Sequence, residues 1–503
     1  MVKMIDIILS DRAYENDIYP LVKAFYPDET IKVYSREQFN ESSKQAEADR
    51  KPYLRIDISF MPDLVTVDVT AADGGRVSRQ LNITGNEPKA VFKNSVKRLL
   101  YGVLCEISNQ TLPWGILTGI RPTKLVYEML ENGADVDSIY GRMRQEYLCS
   151  DSKISMSIEI AARELRLLDS IDYQGGYSLY IGIPFCPTTC LYCSFTSYPV
   201  SRYKELVEDY LSALKKEIEY AAGCFPDKKL TCVYFGGGTP TSLTAGQLDS
   251  LLGLVKRSFD FRYVREFCVE AGRPDSITED KLRVLKTWGV DRISINPQSM
   301  QQKTLDIIGR RHTVEDVITA FKLAREAGHD NINMDIILGL PGENLSDLVD
   351  TLEQIRLLNP ESLTVHTLAI KRAARLNIER ESYKNLKARD VSKMLDYSIK
   401  FARDNNYLPY YLYRQKNMAD NLENIGYARY GREGLYNILI MEEKQTILAL
   451  GAGGMSKFVF HDENRIERVD NVKSITDYIG RIDEMIKKKQ IFLEQNRDKL
   501  WRI

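Results

Sequence analysis

Cys186, Cys190 and Cys193 fall within one short stretch, Ile183-Pro184-Phe185-Cys186-Pro187-Thr188-Thr189-Cys190-Leu191-Tyr192-Cys193-Ser194-Phe195. Thiolates are soft ligands suited to zinc or iron–sulfur clusters. A structural zinc site wants four ligands, and this stretch offers three thiols with no histidine beside them. Three thiolates on a four-iron cluster would leave one iron open to an outside ligand. Two readings compete. Buried structural thiols must explain three cysteines in one polar, proline-bearing loop; a redox Cys-x-x-Cys pair leaves Cys186 idle. A second candidate is Phe235-Gly236-Gly237-Gly238-Thr239-Pro240-Thr241, where Gly237 and Gly238, followed by Thr239, would let backbone approach a ligand closely; a plain turn is the alternative. Glu270 ends an apolar run and could accept hydrogen bonds from a ligand, or only face solvent. Asp335 stands inside Met334-Asp335-Ile336-Ile337-Leu338. A charge there is costly unless paired, which favours a polar site within the fold.

These residues sit on apolar runs at 177–183, 231–235, 266–270, 292–295, 332–338 and 362–368. Amphipathic stretches at 203–222, 245–258, 278–288, 313–327 and 345–358 lie between them. Such alternation predicts an α/β fold, a parallel sheet covered by helices. Chemistry in such folds lies beyond the C-terminal strand ends. Six units are fewer than a closed eight-unit barrel needs, so a partial barrel and an open doubly wound sheet both fit. Upstream, 54–60 and 64–69 alternate apolar and polar, and a third run at 77–83 follows the Asp73-Gly74-Gly75 turn. That pattern predicts an antiparallel meander, joined by helices at 88–109, 124–132 and 154–168. The expected organisation is an N-terminal α+β domain over 1–172, a core over 173–376 and a C-terminal region over 377–503. That last region holds a polar helical stretch, a Tyr/Gly-rich segment at 407–436 and a compact tail.

With 69 Lys+Arg against 70 Asp+Glu in 503 residues, the net charge is −1. This argues against a general nucleic-acid or polybasic membrane-surface binder. There is no apolar run long enough to span a bilayer. Met1-Val2-Lys3-Met4-Ile5-Asp6 reads as a first strand, not a signal peptide. A soluble cytoplasmic protein is expected. Eight cysteines in a chain this long make no disulfide framework. Cys105, Cys149, Cys224, Cys232 and Cys268 lie on apolar patterns and are expected to be buried, inert thiols. Four histidines leave little room for histidine-rich metal chemistry.

The cysteine loop resembles that of the radical S-adenosylmethionine (SAM) superfamily. The surrounding Tyr180-Ile181-Gly182-Ile183-Pro184-Phe185-Cys186 narrows the resemblance to the oxygen-independent coproporphyrinogen III oxidase family, and within it to the dehydrogenase branch that carries an extra N-terminal domain. The resemblance implies a partial (β/α)6 barrel in which Cys186, Cys190 and Cys193 hold a 4Fe–4S cluster. SAM would chelate the open iron, and its reductive cleavage would give methionine and a hydrogen-abstracting 5′-deoxyadenosyl radical. It further implies that Gly237, Gly238 and Thr239 meet the methionyl group of SAM and Glu270 its ribose. Gln298 matches a family glutamine, and Arg310 an arginine near the SAM carboxylate. Tyr180 and Tyr192 match positions that touch SAM, with ring packing as the alternative. His366 falls near a position at the adenosyl group, or is a satisfied core histidine. The chain departs from the family pattern at Gly272-Arg273, where Glu-x-Asn-Pro or Glu-x-Asp-Pro is usual, and at Asn296-Pro297, which replaces Gly-Val.

The implied substrate, coproporphyrinogen III, carries four propionates on an apolar macrocycle. It calls for Arg or Lys partners and aromatic walls. Arg414, Lys416 and Arg121 are the candidates, with solvated surface as the alternative. Oxidative decarboxylation of two propionates would give protoporphyrinogen IX, with flavodoxin or ferredoxin as electron donor. The oxidase branch ends its loop in Cys-x-Cys; here the loop reads Cys193-Ser194-Phe195. Phenylalanine at that place also occurs in related heme chaperones, so heme trafficking is an alternative function, beside another radical SAM reaction on a tetrapyrrole. Those chaperones carry a His-Asn-x-x-Tyr-Trp stretch, whose nearest counterpart here, Asp420-Asn421-Leu422-Glu423-Asn424, has neither His nor Trp.

Overall fold

In the computed structural model, which describes residues 3–45, 52–194, 197–369, 374–379, 383, 386, 388, 390–415 and 422–501, the chain forms two units, Met1–Ala162 and Arg163–Ile503. In the first, Leu54, Ile56 and Ile58 of one strand and Val65, Val67 and Val69 of the next point inward, as period-two alternation requires. Leu54–Phe60, Leu64–Ala71 and Arg76–Asn82 form the expected antiparallel meander. Met4–Leu9 is the first strand, and it runs parallel to both Leu54–Phe60 and Thr30–Ser35. The Thr30–Ser35 strand was not expected. The helices Glu15–Phe25, Arg36–Gln45 and Val136–Gln145 also add to the three foreseen, which run over Lys89–Ser108, Lys124–Glu131 and Asp151–Asp169.

In the second unit the apolar runs become strands β1 (Gly176–Ile183), β2 (Lys229–Gly237), β3 (Glu266–Gly272), β4 (Arg292–Ile295), β5 (Ile332–Leu338) and β6 (Ser362–Thr367). They lie side by side in chain order and every pair is parallel. Helices return between them, at Val207–Ala222, Ala245–Ser258, Glu279–Thr287, Val314–Glu326 and Leu345–Leu358. Thr244, Thr313 and Asn344 each start a helix with a reciprocal capping box. Because the strand order never reverses, crossovers of one hand put all these helices on one face of the sheet. That geometry is a partial (β/α)6 barrel and decides against a doubly wound sheet.

Both edges of the six-strand array are extended by later residues. β7 (Leu408–Tyr413) and β8 (Asn424–Ala428) continue from β6, with β8 antiparallel to it. On the other side β9 (Thr446–Leu450) runs parallel to β1, followed by the antiparallel strands β10 (Met455–Phe460) and β11 (Arg465–Asp470). Residues beyond 377 are therefore part of the same eleven-stranded sheet. Among the described residues, no helix is long and apolar enough to cross a membrane.

Candidate active site

β1 ends at Ile183, and Pro184 turns the chain into the cysteine loop. Phe185–Cys186 forms a short parallel ribbon with Tyr198–Pro199. The amides of Gly238 and Thr239 donate to the carbonyls of Ile183 and Phe185, both at 2.7 Å. A Cβ on Gly238 would stand 2.5 Å from the Phe185 carbonyl oxygen, and Gly237 has φ +106°. Only glycine permits this fit. At these two amides, the close approach expected toward a ligand is made toward the base of the cysteine loop.

Leu191 anchors the far side of the loop. Its side chain packs with Leu305, Ile308, Ile337, Leu340, Leu368 and Leu376. Its N–H donates to the Ile308 carbonyl and its carbonyl accepts from the Leu376 N–H, each at 2.9 Å. Between the first two cysteines, Thr188 Oγ1 donates to the Gly309 carbonyl at 3.1 Å.

Cys186 and Cys190 are buried and Cys193 is half-buried. Cys186 Sγ lies 3.5 Å from Thr239 Oγ1. Burial pushes the Cys186 thiol up to about 11; Thr239 opposes the rise, and the neighbouring Cys193 and Cys190 add to it. Three neighbouring thiols that ionise together need a countercharge, which a metal centre supplies. By ligand chemistry, three thiolates suit an iron–sulfur cluster with one iron left open better than a four-ligand structural zinc site.

On the sheet face away from the helices, Glu270 accepts hydrogen bonds from Tyr234 Oη and, at 3.2 Å, from Asn296 Nδ2. Asp335 Oδ1 accepts from Asn333 Nδ2 at 2.7 Å, and His366 Nε2 lies 3.6 Å from Asp335 Oδ2. Burial raises the Glu270 carboxyl above its usual range, and the charge of Asp335 pushes the same way. Against the upward push of burial, His366 holds the Asp335 carboxyl below its usual range, helped by hydrogen bonds from Asn333 and Thr364. The two carboxyls are thus driven apart, toward a protonated Glu270 and an ionised Asp335. The expected partner of this intra-sheet charge is His366. Tyr180 stacks against Tyr234 and Tyr436 at 6.2 and 6.3 Å, forming an aromatic wall.

Arg310 joins the loop to this interior. It is buried, donates to the Asn296 carbonyl and, at 3.3 Å, to Tyr192 Oη. Gln298, held at φ +68°, bridges to β5: its N–H donates to the Asp335 carbonyl and its carbonyl accepts from the Ile337 N–H, both at 2.9 Å. Three buried polar atoms here, Asn296 Oδ1, Gln298 Oε1 and Arg310 Nε, have no hydrogen-bond partner among the described residues. Orphaned buried donors and acceptors are costly. Their mixture fits a ligand with both an anionic and a donor-rich end, as an amino acid joined to a nucleoside has.

The structure therefore brings together Cys186, Cys190, Cys193, Tyr192, Gly237, Gly238, Thr239 and Arg310 around the loop, and Tyr180, Glu270, Gln298, Asp335 and His366 beside it. Arg414 is buried just past the end of β7. Lys416 and Phe195 lie outside the described residues. Arg121 belongs to the Met1–Ala162 unit, before the Lys124–Glu131 helix. Of the remaining cysteines, Cys149, Cys224, Cys232 and Cys268 are buried, while Cys105, expected to be buried, is half-exposed at its helix surface. Sequence reasoning did not single out Tyr234, Tyr436 or Arg273 as site residues. Arg273 had a readable sign, a charge between the chain-turning Gly272 and Pro274.

Residues 180–355 match the family model described as the radical SAM superfamily. A Bacillus subtilis (strain 168) protein, the oxygen-independent coproporphyrinogen-III oxidase-like protein HemZ, is 43% identical over 418 residues, which cover 82% of this chain and 83% of that protein. The heme chaperone HemW of the same organism is 38% identical over 39% of this chain and 51% of its own length. Among solved structures, the Escherichia coli coproporphyrinogen III oxidase HemN, a radical SAM enzyme, matches with a TM-score of 0.51 at 23% identity, over 64% of this chain and 72% of that one.

Proposed function

The chain belongs to the radical SAM superfamily and, within it, to the oxygen-independent coproporphyrinogen III oxidase-like family, and from that premise we propose that it oxidatively decarboxylates coproporphyrinogen III to protoporphyrinogen IX. Its cofactors are a 4Fe–4S cluster and SAM. The observation that carries the reading is the set of orphaned buried atoms on Asn296, Gln298 and Arg310 beside the three-thiol loop. The substrate is supported by the likeness to HemZ, which runs through most of both chains.

Cys186, Cys190 and Cys193 would hold the cluster through their thiolates. When bound, cluster and SAM supply one-electron reduction and hydrogen-atom abstraction. Arg310 directs its free Nε–H at a carboxylate, and Gln298 and Asn296 offer acceptors to an ammonium group or hydroxyls. Glu270, pinned by Tyr234 and Asn296, accepts from a ribose diol. Tyr192 and the Gly237–Gly238–Thr239 turn hold the loop in register, and Tyr180 closes the site with an aromatic face that keeps water out. Asp335 holds His366 at the interior end of β6, where the adenosyl group would lie. Arg414 would meet a propionate, with the rings of Tyr411 and Tyr413, 6.2 Å apart, as an apolar wall for the macrocycle. Lys416 is a second propionate partner by sequence position; Arg121 has no role in this reading.

Each of two propionates would then lose a hydrogen atom from its β-carbon, carbon dioxide and one electron, the electron passing to an external one-electron acceptor, and become a vinyl group. The low-potential electron that starts the cycle would come from a flavodoxin or ferredoxin. Reconstituted protein given SAM, a reductant and carboxyl-labelled coproporphyrinogen III is expected to release labelled carbon dioxide. Methionine release without it, together with a Soret band that titrates with heme and passes to an apo-hemoprotein, would replace this reading with heme carriage, the function in the name of HemW.

A further inference from the structure

Arg273 is where the chain departs from the family pattern after Glu270, and its side chain is only 3% exposed. Gly272, at φ +66°, turns the chain, and Pro274 opens the short turn Pro274–Ser276 that fixes the backbone of Arg273. The guanidinium is divided between two partners. Its Nε and Nη2 donate to the two carboxylate oxygens of Asp275 at 2.9 and 2.6 Å. Its Nη1 points the other way, into the cysteine loop. There it donates to the Thr188 carbonyl at 3.0 Å, to Thr188 Oγ1 at 2.6 Å and to Cys190 Sγ at 3.8 Å. A buried guanidinium survives desolvation only with near-ideal partners. Asp275 provides the fork, and His312 Nδ1 lies 3.9 Å behind that carboxylate.

We propose that Arg273 is a positioning residue that sets the reduction potential of the cluster held at Cys190, by donating a charge-assisted N–H to the cysteine sulfur while pinning Thr188. Hydrogen bonds to the ligating sulfurs and the local net charge are levers on iron–sulfur potentials. The donated proton and the guanidinium charge draw electron density from the thiolate and stabilise the reduced cluster, so one electron enters at a less negative potential. Asp275 works in the opposite sense: its carboxylate damps the positive charge that Arg273 presents. The residue is thus both a strut between β3 and the loop and a tuner of electron entry. The inference rests on the cluster reading of the loop given above.

The test is a dithionite redox titration followed by electron paramagnetic resonance, on wild type, Arg273→Gln and Asp275→Asn, with iron and sulfide content read first in each. Wild type that loads no cluster overturns the loop reading itself, and this is visible before any potential is measured. With clusters loaded, Arg273→Gln is expected to lower the ratio of reduced to oxidised cluster at fixed potential about tenfold, equivalent to ~59 mV for one electron. Asp275→Asn is expected to raise that ratio. A merely structural strut does not predict opposite signs. Unmoved potentials, or shifts of the same sign in both variants, overturn the role of Arg273. If Arg273→Gln loads no cluster, Asp275→Asn carries the comparison, and an unmoved or lowered ratio there overturns the proposal.

Discussion

Lys489 Nζ lies 2.8 Å from Glu217 Oε1, across 272 positions of chain, and neither side chain has any exposed surface. Lys489 is on the Ile482–Leu500 helix and Glu217 on Val207–Ala222, the helix that follows the cysteine loop. Glu217 also accepts from the Gly451 N–H at 2.8 Å, Tyr478 Oη at 2.5 Å and Asn471 Nδ2 at 2.8 Å. From the same helix, Tyr210 Oη donates to the Gly182 carbonyl of β1 at 2.6 Å. This network ties the C-terminal helix and β9 to the strand that launches the cysteine loop. Burying an ion pair gives little net stability, but removing one partner strands a charge. Lys489→Met is therefore expected to cost about 3–5 kcal/mol and to lower the thermal unfolding midpoint clearly. Glu217→Gln/Lys489→Met should recover part of the loss. An unchanged midpoint in the single variant would contradict the pairing.

Gly238→Ala places a methyl group against the carbonyls of Phe185 and Ile183, at 2.5 and 2.9 Å. Both are backbone atoms, so the loop must shift. The variant should keep its far-ultraviolet circular dichroism and lose most of its bound iron. Wild-type iron content would show that the fit at Gly238 does not position the loop.

Cys190→Ala should abolish the visible iron–sulfur absorbance of reconstituted protein. Cys232→Ala should leave it intact, because Cys232 is fully buried in β2 and burial raises its thiol well above the usual range. Loss of absorbance in both variants, or in neither, would undo the ligand assignment.

Burial pushes the Glu343 carboxyl up to about 7, although Ser299 Oγ donates to it at 2.5 Å. The folded state therefore holds this proton more tightly than the unfolded chain does. Its contribution to stability is full below the unfolded value of about 4.3 and is lost as pH rises through about 7. Glu343→Gln removes that dependence. The variant should match wild type near pH 4 and exceed it near pH 8, by up to about 3 kcal/mol. Unfolding midpoints compared at the two pH values test this; a gap that does not widen with pH contradicts it.

Much of the barrel was legible because its strands are short apolar runs whose helices begin with visible caps. Thr244 and Gln247 mark the start of Ala245–Ser258 at the expected residue. Asp335 was legible as a charge that an apolar strand must pair, and the structure supplies His366. The pairing of β9 with β1 was not legible, since Ile447 and Ser178 meet across a separation no local pattern encodes. The Thr30–Ser35 strand was missed because its alternation is weak, with no residue in it fully buried. Glu217 and Lys489 did leave a trace: each is a charge on the apolar face of its helix, beside Leu214 and Ile218 in one case and Met485 and Leu493 in the other. What could not be read was that the two charges answer each other.

The most direct measurement is anaerobic turnover of cluster-loaded protein with SAM, a low-potential reductant and coproporphyrinogen III, read by mass spectrometry of the tetrapyrrole. The account predicts two successive losses, each of one carboxyl group as carbon dioxide with two hydrogens, and methionine formed in step. Methionine release over an unchanged tetrapyrrole would contradict it.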